Sequence, residues 1–173
     1  MTCETKRCIV DVEMAGCDLW DHKNKIICIG VMDVDAPDEA TVFYDDREEQ
    51  LLLRFLQYFN RKDFKSVIGY NISHDIRALL SRALRYNIPA RALYAANPVD
   101  LMMILKGKKY NFLRPGTLNE WSHYLFSQEK MQTDDCIPVL YKEGKIDQIL
   151  QYNRCDLQLI YQLWKRVNFV LEA

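Results

Sequence analysis

Apolar residues run almost unbroken through residues 7–13 and again through residues 26–34 (Ile-Ile-Cys-Ile-Gly-Val-Met-Asp-Val), and both runs read as strands. A polar segment holding Asp18, Asp21, His22, Lys23 and Asn24 joins them. A third strand, residues 41–44, follows the turn signal Ala36-Pro37-Asp38, so the first quarter of the chain predicts an antiparallel meander. The period then changes. Leu51, Leu52, Phe55 and Phe59 recur at helical spacing behind Asp46, which is the predicted N-cap. Residues 66–70 read as a short buried strand, and a helix carrying Ile76, Leu79, Leu80 and Leu84 is predicted from about His74 to Tyr86. Residues 92–105 are ambiguous, fitting a short strand and then a helix near Asp100. Residues 117–126 fit a helix in which Glu120 completes a capping box with Thr117. The longest helical pattern runs from Lys145 to about Asn168, with Ile146, Ile149, Leu150, Leu157, Ile160, Trp164 and Val167 along one stripe. A meander followed by strand–helix units predicts a mixed α/β sheet with helices packed on it.

Composition narrows the class without naming it. The 173 residues are read as one domain, 1–173, with 49% hydrophobic and 27% charged residues. Net charge is −1, so no global basic footprint advertises nucleic acid. Three local basic clusters (Arg61, Lys62 and Lys65; Arg77, Arg82, Arg85 and Arg91; Lys106, Lys108, Lys109 and Arg114) read first as solvated faces. Cysteines 3, 8, 17, 28, 136 and 155 form no Cys-x-x-Cys pair, and several fall in apolar patterns, so buried free thiols are expected rather than zinc ligands or disulfides. No signal peptide opens the sequence and no apolar run approaches 18 residues, which predicts a reducing, cytoplasmic setting.

Chemistry enters on the first strand. Asp11 and Glu13 lie two apart in it, so their carboxylates project from one face, with Cα atoms about 6–7 Å apart. Two like charges side by side on a half-buried strand are unfavourable through both desolvation and repulsion. A hard divalent cation such as Mg²⁺ relieves both, because it takes carboxylate oxygens as ligands. The tripeptide alone is weak evidence: with 15 Asp and 9 Glu, about one Asp-x-Glu is expected by chance, and Asp46-Arg-Glu48 is a second, read as a solvated helix start. Further carboxylates are suitably placed. Asp75 follows the strand at 66–70 near the start of the next helix, where a capping role competes with a ligand role. Asp156 lies beside the apolar stripe of the last helix, with Tyr152 one turn earlier on the same face.

Asp11-x-Glu13 on the first strand, Asn71-x-x-x-Asp75 after a later strand, and Tyr152-x-x-x-Asp156 on a C-terminal helix together resemble the three motifs of the DEDD superfamily. These are ribonuclease-H-like 3′–5′ exonucleases. The tyrosine subclass includes the proofreading domains of family B DNA polymerases; a second subclass has histidine five residues before the last aspartate, where this chain has Gln151. The resemblance runs nearly end to end and extends to Val99-Asp100-Leu101, the Thr117-Leu118 helix start and Lys130. Two positions depart from it: His74 stands where the family usually has an aromatic residue, and Met14 where threonine is frequent.

The resemblance implies a two-metal phosphodiester hydrolysis, with Asp11, Glu13, Asp75 and Asp156 holding two Mg²⁺ or Mn²⁺ ions about 3.5–4 Å apart. Tyr152 would orient the attacking water, since a phenol with pKa near 10 is a poor base at pH 7. Met14, Asn71, His74 and Lys130 are the expected substrate contacts. The implied partner is a single nucleic-acid strand with a free 3′ end, DNA before RNA, and beyond it a polymerase or other replication or repair protein. The alternatives are a stand-alone ribonuclease of the same fold and a catalytically silent module that binds nucleic acid or a protein.

Overall fold

The computed structural model describes residues 6–16, 18, 21, 24–107, 114, 116–131 and 135–171. Cys3, Cys17, His22, Lys23, Lys108 and Lys109, all named above, lie outside the described residues. Five strands form one sheet: β1 (Arg7–Met14), β2 (Ile26–Asp33), β3 (Thr41–Tyr44), β4 (Ser66–Gly69) and β5 (Asn97–Asp100), in the order β3-β2-β1-β4-β5. The meander is present as expected, with β1–β2 and β2–β3 antiparallel. On the other side of β1 the sheet becomes parallel, through β1–β4 and β4–β5. The mixed α/β fold class read from the pattern is therefore the observed one.

Strand alternation decides which helix meets which side chain. Cys8 and Val10 of β1, with Ile29 and Val31 of β2, point to one face, which α1 (Glu48–Lys62), α2 (Ile72–Arg85) and α3 (Arg91–Ala95) cover through Leu51, Phe55, Phe59, Leu79 and Leu93. Ile9, Met32 and Ile68 point to the other face, under Leu157, Ile160 and Leu163 of α7 (Ile146–Leu171). Helices α4 (Leu101–Lys106), α5 (Leu118–Phe126) and α6 (Ile137–Lys142) flank α7. The capping box of α5 is present: Glu120 N–H donates to Thr117 Oγ1 at 3.2 Å, and Thr117 N–H to Glu120 Oε2 at 2.7 Å. Among the described residues no helix is long and apolar enough to cross a membrane.

Three expectations need correcting. Asp46 does not cap α1; Arg47 holds that position, and Asp46 Oδ1 instead accepts the Tyr44 hydroxyl at 2.5 Å. Nor is Asp46-Arg-Glu48 a solvated start, because Glu48 is buried. Its Oε1 accepts the Ile26 N–H at 2.6 Å and pairs with Arg82 Nε at 3.2 Å, while its Oε2 accepts the Tyr86 hydroxyl at 2.7 Å. Arg82, read as part of a solvated basic face, is likewise buried. This pair ties α1 and α2 to the start of β2. Helices α3 and α6, of five and six residues, were not anticipated, since fewer than two turns leave too little periodicity to read. Cys8 and Cys28 are buried free thiols as expected, whereas Cys136 is exposed.

Candidate active site

Because Asp11 and Glu13 share the face of Ile9, they look toward α7, and that helix supplies the next carboxylate. Asp156, 3% exposed, lies one residue before Leu157 on the buried side of α7. One carboxylate oxygen from each of Asp11, Glu13 and Asp156 falls within 4.8 Å of the others. Asp75 reaches the same region from the opposite layer. β1 and β4 pair as far as Ile9 and Ile68 and then part. Beyond that point the Val12 N–H donates to Asp75 Oδ1 at 3.1 Å, so the first turn of α2 projects into the gap. Asp75 stands outside the close trio, but the Asp11 charge acts on it. The gap lies where the strand order reverses about β1, the place at which α/β sheets collect ligands.

Burial and mutual repulsion make this cluster hard to ionise. Burial first, and then the Asp156 charge, raise the Asp11 carboxyl to about 7. Glu13 is raised by burial and by Asp11, and Asp75 by the same two causes. Burial also raises Asp156, against the opposing pull of Lys130. Lys130 Nζ lies 2.5 Å from Asp156 Oδ2 and 4.9 Å from the centre of the Tyr152 ring. Burial disfavours its charge, but Asp156 outweighs that and holds the ammonium protonated. Tyr152, half-buried, is raised by burial and then by Asp156, so its phenol is neutral at physiological pH. Cys28, paired with Glu13 across β1–β2, is raised by burial and by both carboxylates, which leaves a thiol rather than a thiolate.

The donor set fits hard divalent ions. It consists of carboxylate oxygens, and Asp156 Oδ1 is buried without a hydrogen-bond partner. Asp11, Glu13 and Asp156 are thus placed to share a cation, with Asp75 adjoining.

The other expected site residues are scattered around this centre. Asn71, exposed, is in the left-handed region (φ 62°), with its N–H donated to Asp100 Oδ1 at 3.0 Å. His74 is exposed on the first turn of α2. Met14 packs half-buried against the core beneath α1 and α2, on the sheet face opposite Asp11 and Glu13. Lys130 touches Asp156 and Tyr152, the acidic centre itself. Asp100, noted in the sequence without a role, orients the Asn71 backbone. Two participants were not read from the sequence: Asn153, which donates to Asp11, and Gly30, which faces Asp11 in the β1–β2 ladder. A glycine inside an apolar strand was the one available signal, since it marks a close approach.

The RNase_H_2 family model, described as RNase_H superfamily, matches residues 8–168. The chain belongs to the RNase_H superfamily. It is 25% identical over 171 residues to the uncharacterized protein MJ0365 of Methanocaldococcus jannaschii, covering 92% of this chain and 93% of that one. Its fold is similar to that in the family B DNA polymerase of the hyperthermophilic archaeon Pyrobaculum calidifontis, with TM-score 0.72 and 16% identity, over 94% of this chain. The chain spans 24% of that polymerase's length.

Proposed function

We propose that the protein is a metal-dependent 3′–5′ exonuclease of the tyrosine DEDD subclass, acting on single-stranded DNA. The observation that carries this reading is the convergence of Tyr152 and Asp156, one turn apart on α7, upon the Asp11-x-Glu13 strand. Asp75 enters from the other layer through the β1–β4 gap.

Asp11, Glu13, Asp156 and Asp75 would hold two Mg²⁺ or Mn²⁺ ions, which when bound supply charge to activate a water and to stabilise the leaving 3′ oxygen. Four carboxylates against two divalent ions balance to zero, so only the loaded centre accepts a phosphate without repulsion. Tyr152, neutral and beside Asp156, orients the attacking water through its hydroxyl rather than taking its proton. Lys130 is fixed between Tyr152 and Asp156, where its ammonium offsets charge that builds on the phosphodiester. Asn71 and His74, exposed at the α2 end of the gap, would contact the terminal nucleotides, whereas Met14 packs in the core on the opposite sheet face. A single strand reaches such a gap more readily than a duplex does, and backbone contacts there read no sequence. A replication or repair protein is the partner class this activity implies.

The test is 5′-labelled single-stranded DNA and a matched RNA, incubated with MnCl₂ or MgCl₂, with EDTA, and with Asp11→Ala. A metal-dependent ladder shortening from the 3′ end of DNA, absent in the variant, supports the proposal. The same ladder on RNA alone moves the protein to the ribonuclease reading. No cleavage of either refutes both and leaves a binding module.

A further inference from the structure

Asn153 does not belong to any part of the catalytic scheme above, yet it is the most buried polar residue on the helix that closes the site. It is 0% exposed, between Ile149 and Leu157 on the face of α7 that packs on the sheet. A leucine there would match its surroundings, because a buried amide with an unmet group is destabilising. The Asn153 Oδ1 has no partner. Its Nδ2, by contrast, donates twice to one residue: to the Asp11 main-chain oxygen at 3.2 Å and to Asp11 Oδ2 at 2.8 Å.

The strand opposite is shaped to the same amide. Gly30 pairs with Asp11 across β1–β2, and a Cβ at position 30 would stand 2.1 Å from Asn153 Oδ1 and 2.8 Å from Leu157 Cδ1. Any side chain there would push the Asn153 amide and the Leu157 methyl out of their places. Asn153 is fitted between Tyr152 and Asp156 in sequence, so its grip on β1 also fixes how far α7 slides along the strand.

We infer that Asn153, seated on Gly30, is a positioning residue that clamps the Asp11 carboxylate and the α7 register into a cation-binding geometry. The inference rests on the proposed metal centre and deepens it. The amide suits this task because it is neutral: it aims a carboxylate without bringing a charge that competes with the cation, as Lys130 does at Asp156. Hydrogen-bond partners of metal-binding carboxylates generally set affinity through such orientation.

The experiment uses the full chain and MnCl₂ alone as the probe. Asn153→Leu keeps the branching at Cγ, at a larger volume, and removes the donor, Asn153→Ser gives a smaller side chain in case leucine does not fold, and Gly30→Ala pushes the amide aside while leaving Asn153 in the sequence. Calorimetric titration should show Mn²⁺ affinity weakened about 10–100-fold in each folded variant. Thermal unfolding without metal should stay cooperative in Asn153→Leu. On oligonucleotide, kcat should fall more than KM rises, a split that loss of packing alone would not give. Mn²⁺ affinity within threefold of wild type in folded Asn153→Leu and Asn153→Ser overturns the inference, whatever the activity. Wild type that binds Mn²⁺ with the expected loss in the variants, but cleaves no nucleic acid, supports the clamp and refutes the exonuclease. Wild type that binds no Mn²⁺ overturns both.

Discussion

Replacing Asp11 by asparagine should make the metal-free protein more stable, and increasingly so as pH rises. The folded-state carboxyl of Asp11 is raised to about 7, chiefly by burial and by Asp156, against an ordinary value near 3.8. A group with a raised folded pKa favours the native state below its unfolded pKa and loses that advantage as pH climbs through the folded one. The window is therefore about pH 4 to 7. A gap of about three pH units corresponds to about 4 kcal/mol, and partial opening to the cleft reduces this to about 2–4 kcal/mol. For a chain of this size that is on the order of 5–15 °C in Tm. Asparagine keeps the shape and still accepts the Asn153 amide but does not titrate, so its Tm advantage over wild type, measured in EDTA, should grow between pH 5 and pH 8. Saturating MnCl₂ should reverse the order at pH 8, because an ion at 1,000 times its Kd adds about 4.1 kcal/mol to the protein that binds it. A Tm difference that stays flat from pH 5 to 8 would refute the electrostatic account of this cluster.

The remaining predictions separate the parts of the site. Lys130→Met removes the cation from Asp156 and should lower metal-free stability by about 1–3 kcal/mol in chemical denaturation, with most of the loss restored by MnCl₂. Tyr152→Phe should lower kcat about 10–100-fold while leaving Mn²⁺ affinity within threefold, which quench-flow kinetics and calorimetry measure separately. Arg82→Met strands the buried Glu48 carboxylate and should cost about 3–5 kcal/mol in urea unfolding. Its Mn²⁺ affinity should not change, since that pair lies on the sheet face away from Asp11 and Glu13.

How much of this was legible in the chain depends on the range of the interaction. Strands β1 and β2 and the long α7 were readable because their apolar patterns extend over eight or more residues, β3 because a turn signal precedes it, and the strand context marked Asp11 and Glu13 as unusual. That Asp156 would meet them was implied by the family resemblance, because its place beside the α7 stripe fixes the face but not the partner strand. Helices α3 and α6 were too short to show a period. Glu48 and Arg82 were misread as solvated because each charge is satisfied by a residue 34 positions away, and local pattern carries no trace of that pairing. Asp46 was misread as a cap for the opposite reason: its residue type suits that role, but the Tyr44 hydroxyl engages its side chain. Asn153 was invisible because its meaning depends on Gly30 in a strand more than a hundred residues earlier. Met14 was expected as a substrate contact, but it packs in the core. Its place on the far face follows from alternation with Glu13.

The unequal support given to the four carboxylates says something about how such a centre is kept folded and ready. Asp156 has the Lys130 ammonium, Asp11 the Asn153 amide, and Asp75 the Val12 N–H. Each partner comes from a different element: the segment after α5, helix α7 and strand β1. Glu13 differs, since its side chain hydrogen-bonds a fellow carboxyl, Asp11, and the Lys130 charge favours its ionisation while Asp11, Asp156 and Asp75 oppose it. It also sits beside the register shift at the end of β1, where the ladder to β2 loosens between Glu13 and Met14. A carboxylate that is poorly stabilised and next to a local irregularity can reorient at small cost. The centre thus combines three carboxylates held by a cation or an N–H donor with a fourth held by a neighbouring carboxyl. Preorganised groups limit the rearrangement needed when charged ligands bind, and under the proposed exonuclease reading a less firmly held ligand would follow the change in coordination as a strand shortens.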